Sequence, residues 1–317
     1  TLALRAGANA YAALQRGTTT VRDLGSPNDA IFPLRDAIAS RVCPGPRILA
    51  AGYVITTPTG HCHYVGRHAV DPGSAREAVA AQLDAGADVI KVMTSGGLHT
   101  PGSDPSTPQF SVETLRQIVE TAHAAGRRVT GHGTCDAAIA AAVEAGFDSI
   151  QHGTNVEPAT AASLARSGVG VTPTLDTRYF LDMHLDDPGI PPVIRERARL
   201  TAGGRSGAYQ ALLEAGVAVS AGTDSGTTFV PHGALATEIR LMYEGGLSAR
   251  DAIAAGTSVA ASELGMQGVI GTLVRGAVAD LLVLNADPLA DIGALEDVAL
   301  VVAGGNRVAG GLTLPAQ

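Results

Sequence analysis

The feature of this 317-residue chain that most restricts its fold is a repeated unit, in which a helical stretch ends at a glycine and a short β-branched run follows. Glycine after a helix is a common left-handed cap, and short runs that are apolar on both faces are typical of buried parallel strands. With RILAAG at 47–52, about seven such βα units are predicted. The other six copies are QRG-TTTVRDLG, DAGADVIKVMTSGG, AAGRRVTGHG, EAGFDSIQHGT, RSGVGVTPT and EAGVAVSAGTD.

The strict alternation of strands and helices predicts an α/β fold with a parallel sheet. The best match is a TIM-like (β/α)8 barrel over residues 1–265, with its first strand missing. Residues 266–317 carry short alternating runs between Gly, Asp and Asn turns, and they predict a small all-β appendage. Helices are expected at 74–85, 111–125, 136–145, 160–167 and 205–215.

The composition argues against several classes of partner. The net charge is −8 and no basic run occurs, so neither nucleic acid nor an anionic membrane surface is expected to bind. No apolar run reaches the length of a membrane span, and the first residues predict an amphipathic helix rather than a signal peptide. The three cysteines are odd in number and lack metal-finger spacing, which favours a reducing, cytoplasmic compartment. Aromatic residues make up only 3%, so the core is expected to be aliphatic.

Polar side chains stand where the predicted strands end, which is the edge of a barrel that carries chemistry. One alone could be a loop residue or a helix cap, whereas six at equivalent positions indicate a site. Imidazoles suit Zn, Mn, Co or Fe, and a carboxylate can bind metal and accept a proton from water. The six are Asp23, Lys91, His132, His152, Thr174 and Asp224.

Lys91 lies within the apolar run VIKVM, where a charged amine is costly to bury. Three arrangements would relieve that cost. They are a carboxylate partner, a lowered pKa, or covalent modification. Reaction with CO2 would convert the amine into a carbamate, whose oxygens can bind metal.

Taken in order, these motifs resemble the metal-dependent amidohydrolase superfamily, most closely its prolidase-like (Xaa-Pro dipeptidase) and imidazolonepropionase-like branch. The resemblance covers almost the whole chain and implies a (β/α)8 barrel with a β-sandwich. It also implies a centre of two divalent metals, with zinc expected, and a carboxylated lysine. By motif, the implied ligands are Lys91, His132, His152 and Asp224. The motifs are GTTTVRDLG, TPTGHCHYVG, GADVIKVMTSGG, VTGHGT, SIQHGT, VTPTL, SAGTDSG and GVIGTLVRGAVADLLVLNADPL.

The family's first-strand His-x-His is not found, and the chain starts without Met inside the helix predicted to follow that strand. Two expectations stay open. The chain is an N-terminal truncation of an active hydrolase, or it is complete with only the later half of the site, which could hold one metal. An inactive truncated amidohydrolase fragment is a further alternative. His61-Cys62-His63 is not expected to substitute, because Pro58 and Gly60 interrupt any strand before it and the segment lies in a βα loop.

The resemblance implies hydrolysis of an amide bond by activated water, with Asp224 as general base. Tyr179, shortly after VTPTL, is similar to the family tyrosine that stabilises the tetrahedral oxyanion. His61 stands in a loop that faces substrate in this branch, and Arg178 could pair with a substrate carboxylate. His232 could touch substrate or cap the next helix.

A dipeptide-like small molecule with a free carboxylate is the favoured substrate, and a cyclic amide is the alternative. Arg22 is expected to form a structural ion pair inside the barrel. The segment 176–204 is interpreted as a substrate-selecting lid or an ordinary insertion. A homo-oligomer is expected.

Overall fold

The computed structural model describes residues 1–200 and 204–310. Helices α1 to α12 span Leu2–Gln15, Ile31–Ala39, Pro72–Asp84, Val112–Ala124, Asp136–Ala145, Pro158–Ser167, Leu175–Met183, Pro192–Leu200, Gly204–Glu214, Leu235–Glu244, Ala249–Ala255 and Ser258–Glu263. Strands β1 to β11 span Thr20–Asp23, Arg47–Ala50, Val54–Thr56, Gly66–His68, Val89–Met93, Arg128–Gly133, Ser149–His152, Gly170–Thr172, Leu281–Leu284, Val298–Ala303 and Asn306–Gly310. The five predicted helices correspond to α3, α4, α5, α6 and α9, with ends that differ by at most two residues.

The glycines of the repeated unit act as the predicted turns between helix and strand. All six adopt positive φ angles between 67° and 93°, a region that residues with a Cβ atom enter only at a cost. Each therefore reverses the chain out of its helix and into the next buried segment. The six are Gly17, Gly86, Gly126, Gly146, Gly168 and Gly216.

The parallel sheet of the TIM-like barrel is confirmed. Six parallel strands follow the order β4-β3-β5-β6-β7-β8, and β1 and β2 form a separate parallel pair. Asp88 connects the two sheets, because its amide donates to the Ala50 carbonyl at 2.8 Å and its carboxylate accepts from the Ala50 amide at 3.0 Å. The carboxyl ends of these strands therefore share one rim.

The predicted strand in EAGVAVSAGTD is the exception. It forms a single parallel bridge, from Val219 to Val171, instead of a ladder. The amide of Ser220 still donates to the Val171 carbonyl at 3.0 Å, but the next amide, of Ala221, donates to the Ala255 carbonyl on α11 at 2.9 Å. Pairing with a helix end therefore draws the chain away from β8 before it reaches Asp224.

The core of the barrel is aliphatic, as the composition predicts. Strand β5 is buried along its whole length, and Ile90, Val129, Ile150 and Val171 form one continuous cluster with the helices outside them. The helices cover the sheet, and the longest within residues 1–200 and 204–310 contains 14 residues. Within residues 1–200 and 204–310, no helix is both long and apolar enough to cross a lipid bilayer.

The C-terminal region is the predicted β appendage. Strands β9, β10 and β11 form an antiparallel sheet in the order β11-β10-β9. Ile292 and Leu295 pack against Ile239 of α10 and Ala252 of α11, which joins the appendage to the barrel. The boundary at residue 265 stays a prediction.

Candidate functional site

The structure brings the predicted polar residues to one rim of the sheet. In the sheet, Met93 of β5 pairs with His132 of β6, and Gly133 of β6 pairs with His152 of β7. The ends of these three strands therefore lie side by side. Lys91 lies two residues before the end of β5. Adjacent parallel strands thus place one amine and two imidazoles together.

Three histidine rings form a row at this rim. The ring centroid of His132 lies 4.5 Å from that of His61 and 4.7 Å from that of His152. Hydrogen bonds also fix each ring. His61 Nδ1 lies 2.8 Å from the Thr100 hydroxyl, and His152 Nδ1 lies 2.8 Å from the Thr174 hydroxyl. His132 Nε2 donates to the Gly96 carbonyl at 3.1 Å.

Burial and mutual repulsion lower the pKa of two of these rings, those of His61 and His132. Burial, followed by the charges of Lys91 and His99, lowers the pKa of His61 to about 4. Burial also lowers the pKa of His132 well below its ordinary value, and the neighbouring His61 and His152 add to the effect. Neutral imidazole is the form that binds metal.

Lys91 is 4% exposed beneath the row of rings. The pKa of its amine is lowered to about 7, chiefly by burial; Asp224 opposes this shift, and the charge of Arg22 contributes to it. A substantial fraction of the amine is therefore uncharged near neutral pH. An uncharged amine can react with CO2, so the environment suits both the lowered pKa and the carbamate that the sequence left open.

Asp224 stands apart from the buried groups. It is exposed, and its carboxylate accepts a hydrogen bond from the Thr227 hydroxyl at 3.1 Å. It still influences the pKa of Lys91 and of His61, so it belongs to the same electrostatic neighbourhood. The missing β-ladder before it explains why it reaches the rim in a loop.

Several residues at this rim have strained backbone angles, which the sequence motifs did not predict. His152, Thr174 and Asp224 adopt positive φ angles of 73°, 49° and 46°, which are uncommon for residues with a Cβ atom. Cys62 adopts 54° in the neighbouring loop. Such strain clusters at functional sites, where the surrounding structure holds it in place.

The two histidines of His61-Cys62-His63 do not share a strand face. Strand β3 ends at Thr56, and His63 begins a short 3-10 turn. His61 joins the row of rings, whereas His63 Nδ1 is hydrogen-bonded to the Gly60 carbonyl at 3.1 Å. The segment is a βα loop, in agreement with the sequence prediction.

The remaining predicted site residues have partners of their own. Arg178 Nε donates to the Asp182 carboxylate at 2.6 Å, and its Nη1 donates to the Ala198 carbonyl. It therefore braces α7 against α8. The ring of Tyr179 lies 5.3 Å from the guanidinium carbon of Arg240.

His232 lines a cavity of about 160 Å³ together with Arg16, Phe180 and Glu296. This cavity lies between the barrel and the appendage. The alternative prediction that His232 caps the following helix is wrong, because the N-cap of α10 is Ala234 and no side chain caps that helix. The loop from Pro231 to Ala234 turns the His232 ring toward the cavity instead.

Arg22 forms the predicted ion pair, and its partner is distant in sequence. Its Nη2 donates to Glu263 Oε1 at 2.5 Å, and both side chains are largely buried. Asp23 is the acid next to Arg22 in the sequence. That carboxylate accepts from the Gly25 amide at 3.2 Å, and burial raises its pKa.

A buried carboxyl pair behind the rim was also missed. Asp176 and Glu238 are both fully buried, and the Asp176 amide donates to Glu238 Oε2 at 2.8 Å. Burial, followed by the charge of Glu238, raises the pKa of Asp176 far above its usual range. Sequence alone could not pair two residues 62 positions apart on different helices.

The residues present fit a divalent metal in donor chemistry. Across the described residues, no group of three or more His, Cys, Asp or Glu side chains is arranged to hold a metal ion. The set that suits a metal combines His132, His152 and Asp224 with Lys91, whose nitrogen gains anionic oxygens only when it is carboxylated. Neutral imidazoles and oxygen anions are the ligands that zinc accepts.

Together, the α/β barrel and its rim of imidazoles, amine and carboxylate define a barrel of the amidohydrolase type. The chain belongs to the amidohydrolase family, whose sequence model matches residues 3–308. Members of this family generally use divalent metal.

Three relatives illustrate the likeness. The chain is 31% identical to an ochratoxinase of Aspergillus niger over 316 aligned positions, covering 90% of this chain and 64% of that protein. A Xaa-Pro dipeptidase with methionine bound in its active site superimposes with a TM-score of 0.91 at 31% identity, covering 96% of this chain and 78% of the other. A prolidase complexed with N-methylphosphonate-L-proline gives 0.89 at 31% identity, covering 96% and 79%. The chain thus spans less than two thirds of the ochratoxinase.

Proposed function

We propose that this protein is a metal-dependent hydrolase of amide bonds in small, dipeptide-like substrates with a free carboxylate. The observation that carries the proposal is Lys91, buried next to the paired imidazoles of His132 and His152 at the carboxyl rim of a parallel barrel. The low pKa of the amine makes it reactive toward CO2. Structural use of a lysine there would favour a charged, paired amine instead.

Lys91 in its carboxylated form, His132, His152 and Asp224 are the residues that would hold the metal, with zinc as the expected ion. When bound, such an ion supplies Lewis acidity toward the amide carbonyl and lowers the pKa of water. The chain itself supplies the proton transfers. Asp224, at the exposed end of the site, accepts the proton of the attacking water and delivers it to the leaving nitrogen.

The substrate contacts are proposed from the motifs that resemble this family. His61, which touches the His132 ring, is proposed to face the scissile carbonyl, and Tyr179 to stabilise the oxyanion. Arg178 and His232 are proposed to bind the substrate carboxylate. Because Arg178 already pairs with Asp182, binding requires it to exchange one carboxylate for another.

Two of the relatives support this substrate class. Methionine in one relative and a proline phosphonate in another are both amino-acid-like molecules with a carboxylate.

The proposal also includes a cytoplasmic location, supported by three free cysteines, and a homo-oligomeric assembly. Light scattering coupled to gel filtration measures the assembly directly.

A substrate panel tests the proposal. Purified protein is incubated with Xaa-Pro and other dipeptides, an N-acyl amino acid and a cyclic amide, before and after dialysis against a chelator, and zinc is then restored. We expect dipeptide hydrolysis that is lost on chelation and recovered with zinc. Hydrolysis of only the cyclic amide, or dipeptide hydrolysis indifferent to chelation, contradicts the proposal. Arg116→Ala, which removes the exposed pair of Arg116 with Glu144, is the surface control.

A further inference from the structure

His61 lies in a loop, yet hydrogen bonds hold its amide, its carbonyl and its ring. The Gln109 side-chain oxygen accepts from the His61 amide at 2.6 Å, and the His61 carbonyl accepts from the Thr56 hydroxyl at 2.8 Å. The ring Nδ1 lies 2.8 Å from the Thr100 hydroxyl. Loops are generally more mobile than the elements they connect, so a loop residue fixed at all three groups calls for an explanation.

Two of these partners, Thr100 and Gln109, belong to the loop that follows β5, residues 94–109. The loop closes on itself at the end of the strand, because the Gln109 amide donates to the Thr94 carbonyl at 2.8 Å. Its side chain then donates from Nε2 to the carbonyl of Met93, the last residue of β5, at 2.6 Å. Gln109 is therefore anchored to a buried strand.

A single side-chain amide connects this strand to the loop that carries His61. Gln109 Nε2 also donates to the hydroxyl of Thr56, the last residue of β3, at 3.3 Å, while its oxygen accepts from the His61 amide. Thr100 holds the same loop at a second point, because its hydroxyl accepts from the Cys62 amide at 3.1 Å. The two residues thus form a clamp, defined as Gln109 and Thr100, around His61.

The clamping loop also provides the space that the ring occupies. A Cβ atom added at Gly97 would overlap three atoms of the His61 ring, so any larger residue there would displace the ring. The Gly97 amide is held by the Ser103 hydroxyl at 3.1 Å, within the same loop. With this space open, the ring reaches a centroid distance of 4.5 Å from His132.

We infer that Gln109 and Thr100 are positioning residues, which hold the His61 ring beside His132 so that it meets substrate in a fixed place. The inference rests on the proposed function, in which His61 faces the scissile carbonyl. Both residues act through His61 and are assigned no contact with the reacting atoms. Displacing a group of this kind by about 1 Å can cost roughly a hundredfold in rate.

Gln109→Met tests the clamp, because methionine keeps the length of the side chain and removes its polar atoms. We expect kcat/KM for a dipeptide to fall about 10–100-fold. Gln117→Met is the matched control. Gln117 is also half-buried, and its Nε2 donates to the Thr121 hydroxyl at 3.1 Å on α4, outside the site. The control should keep the kcat/KM of the unmodified protein.

A combined variant distinguishes positioning from packing. When Gln109→Met is added to His61→Asn, we expect no further loss of kcat/KM, because a residue that acts through His61 then has no ring to position. A role confined to packing would lower kcat/KM by the same factor with or without His61. That additive result would contradict the inference.

Thr100 provides a second test that does not require the Gln109 variant to fold. Thr100→Val keeps the shape of the side chain and removes the hydroxyl, whereas Thr100→Ser keeps the hydroxyl. We expect kcat/KM to fall about tenfold in the valine variant, the effect of losing one ordinary hydrogen bond, and to be restored in the serine variant. Equal values in the two variants would contradict the role of the hydroxyl.

Nitrogen NMR of protein labelled in its histidine rings reports the position of His61 without any need for activity. The His61 signals are assigned by their loss in His61→Asn, and we expect them to shift in Gln109→Met and in Thr100→Val but not in Gln117→Met. Unchanged His61 signals in the folded clamp variants overturn the inference, and hydrolysis by the unmodified protein would leave the proposed function standing. Shifted signals without any hydrolysis by the unmodified protein would support the clamp and remove the proposed function alone.

Discussion

The two sides of the candidate site differ in their support, because one lies on a buried parallel sheet and the other on an exposed loop. Strands β5 to β7 form an unbroken parallel ladder, and Lys91 and His132 are 4% and 6% exposed within it. The segment that leads to Asp224 has a single bridge, and Asp224 itself is exposed in a loop. The buried side can fix ligand positions before substrate arrives, whereas the exposed side can adjust to substrate and exchange protons with water.

The largest effect is expected on the buried side. His132→Asn removes the central ring of the row, and we expect hydrolysis to fall by at least about a thousandfold, because groups that act as one unit lose activity together. His63→Asn is the matched control, since His63 faces the Gly60 carbonyl outside the row. Steady-state kcat/KM of both variants measures the difference, and equal losses would contradict the assignment of the row.

On the exposed side, Asp224→Asn keeps the shape of the side chain and removes its basicity. We expect kcat to fall by roughly 10²–10⁴-fold, as for other general bases. The free energy of unfolding should change little, because the carboxylate is exposed and the hydrogen bond that it accepts from the Thr227 hydroxyl is exposed as well. Urea unfolding beside the kinetics distinguishes the two effects. A folded variant with full kcat would exclude Asp224 as the base.

A smaller effect is expected from the support of His152. Thr174→Val removes the hydroxyl that lies 2.8 Å from His152 Nδ1, and Thr174→Ser keeps it. We expect about 10–100-fold weaker zinc binding or activity for the valine variant alone, because hydrogen bonds behind metal ligands orient them. Competition with a zinc indicator measures the affinity. Similar affinities for the two variants would show that the hydroxyl does not orient His152.

The smallest effect concerns stability behind the rim. The raised pKa of Asp176 means that the folded protein retains a proton that the unfolded chain releases above its ordinary pKa near 4. The free energy of unfolding should therefore fall as pH rises from about 5 to 9, and Asp176→Asn should flatten that slope. Urea unfolding across this range tests the sign. An unchanged slope in the variant would show that a group other than Asp176 holds the retained proton.

The sequence predicted what is local. Helix ends, glycine turns, the row of strand ends and the buried position of Lys91 follow from patterns a few residues long, and the structure agrees with them. The sequence did not predict contacts between residues that lie far apart along the chain. The predicted strand in EAGVAVSAGTD forms a single bridge because Ala221 pairs with Ala255, and Arg22 finds its partner in the distant Glu263. No spacing rule joins residues 241 positions apart.

The most direct test of the account is zinc content per chain, measured by mass spectrometry on the protein after exposure to zinc and bicarbonate and removal of excess ion. We predict at least about one tightly bound zinc in the unmodified protein and in His63→Asn, and less than about a tenth of that in Lys91→Ala and His132→Asn. Equal zinc in all four proteins would contradict the central claim that Lys91 and the row of histidines form the metal site.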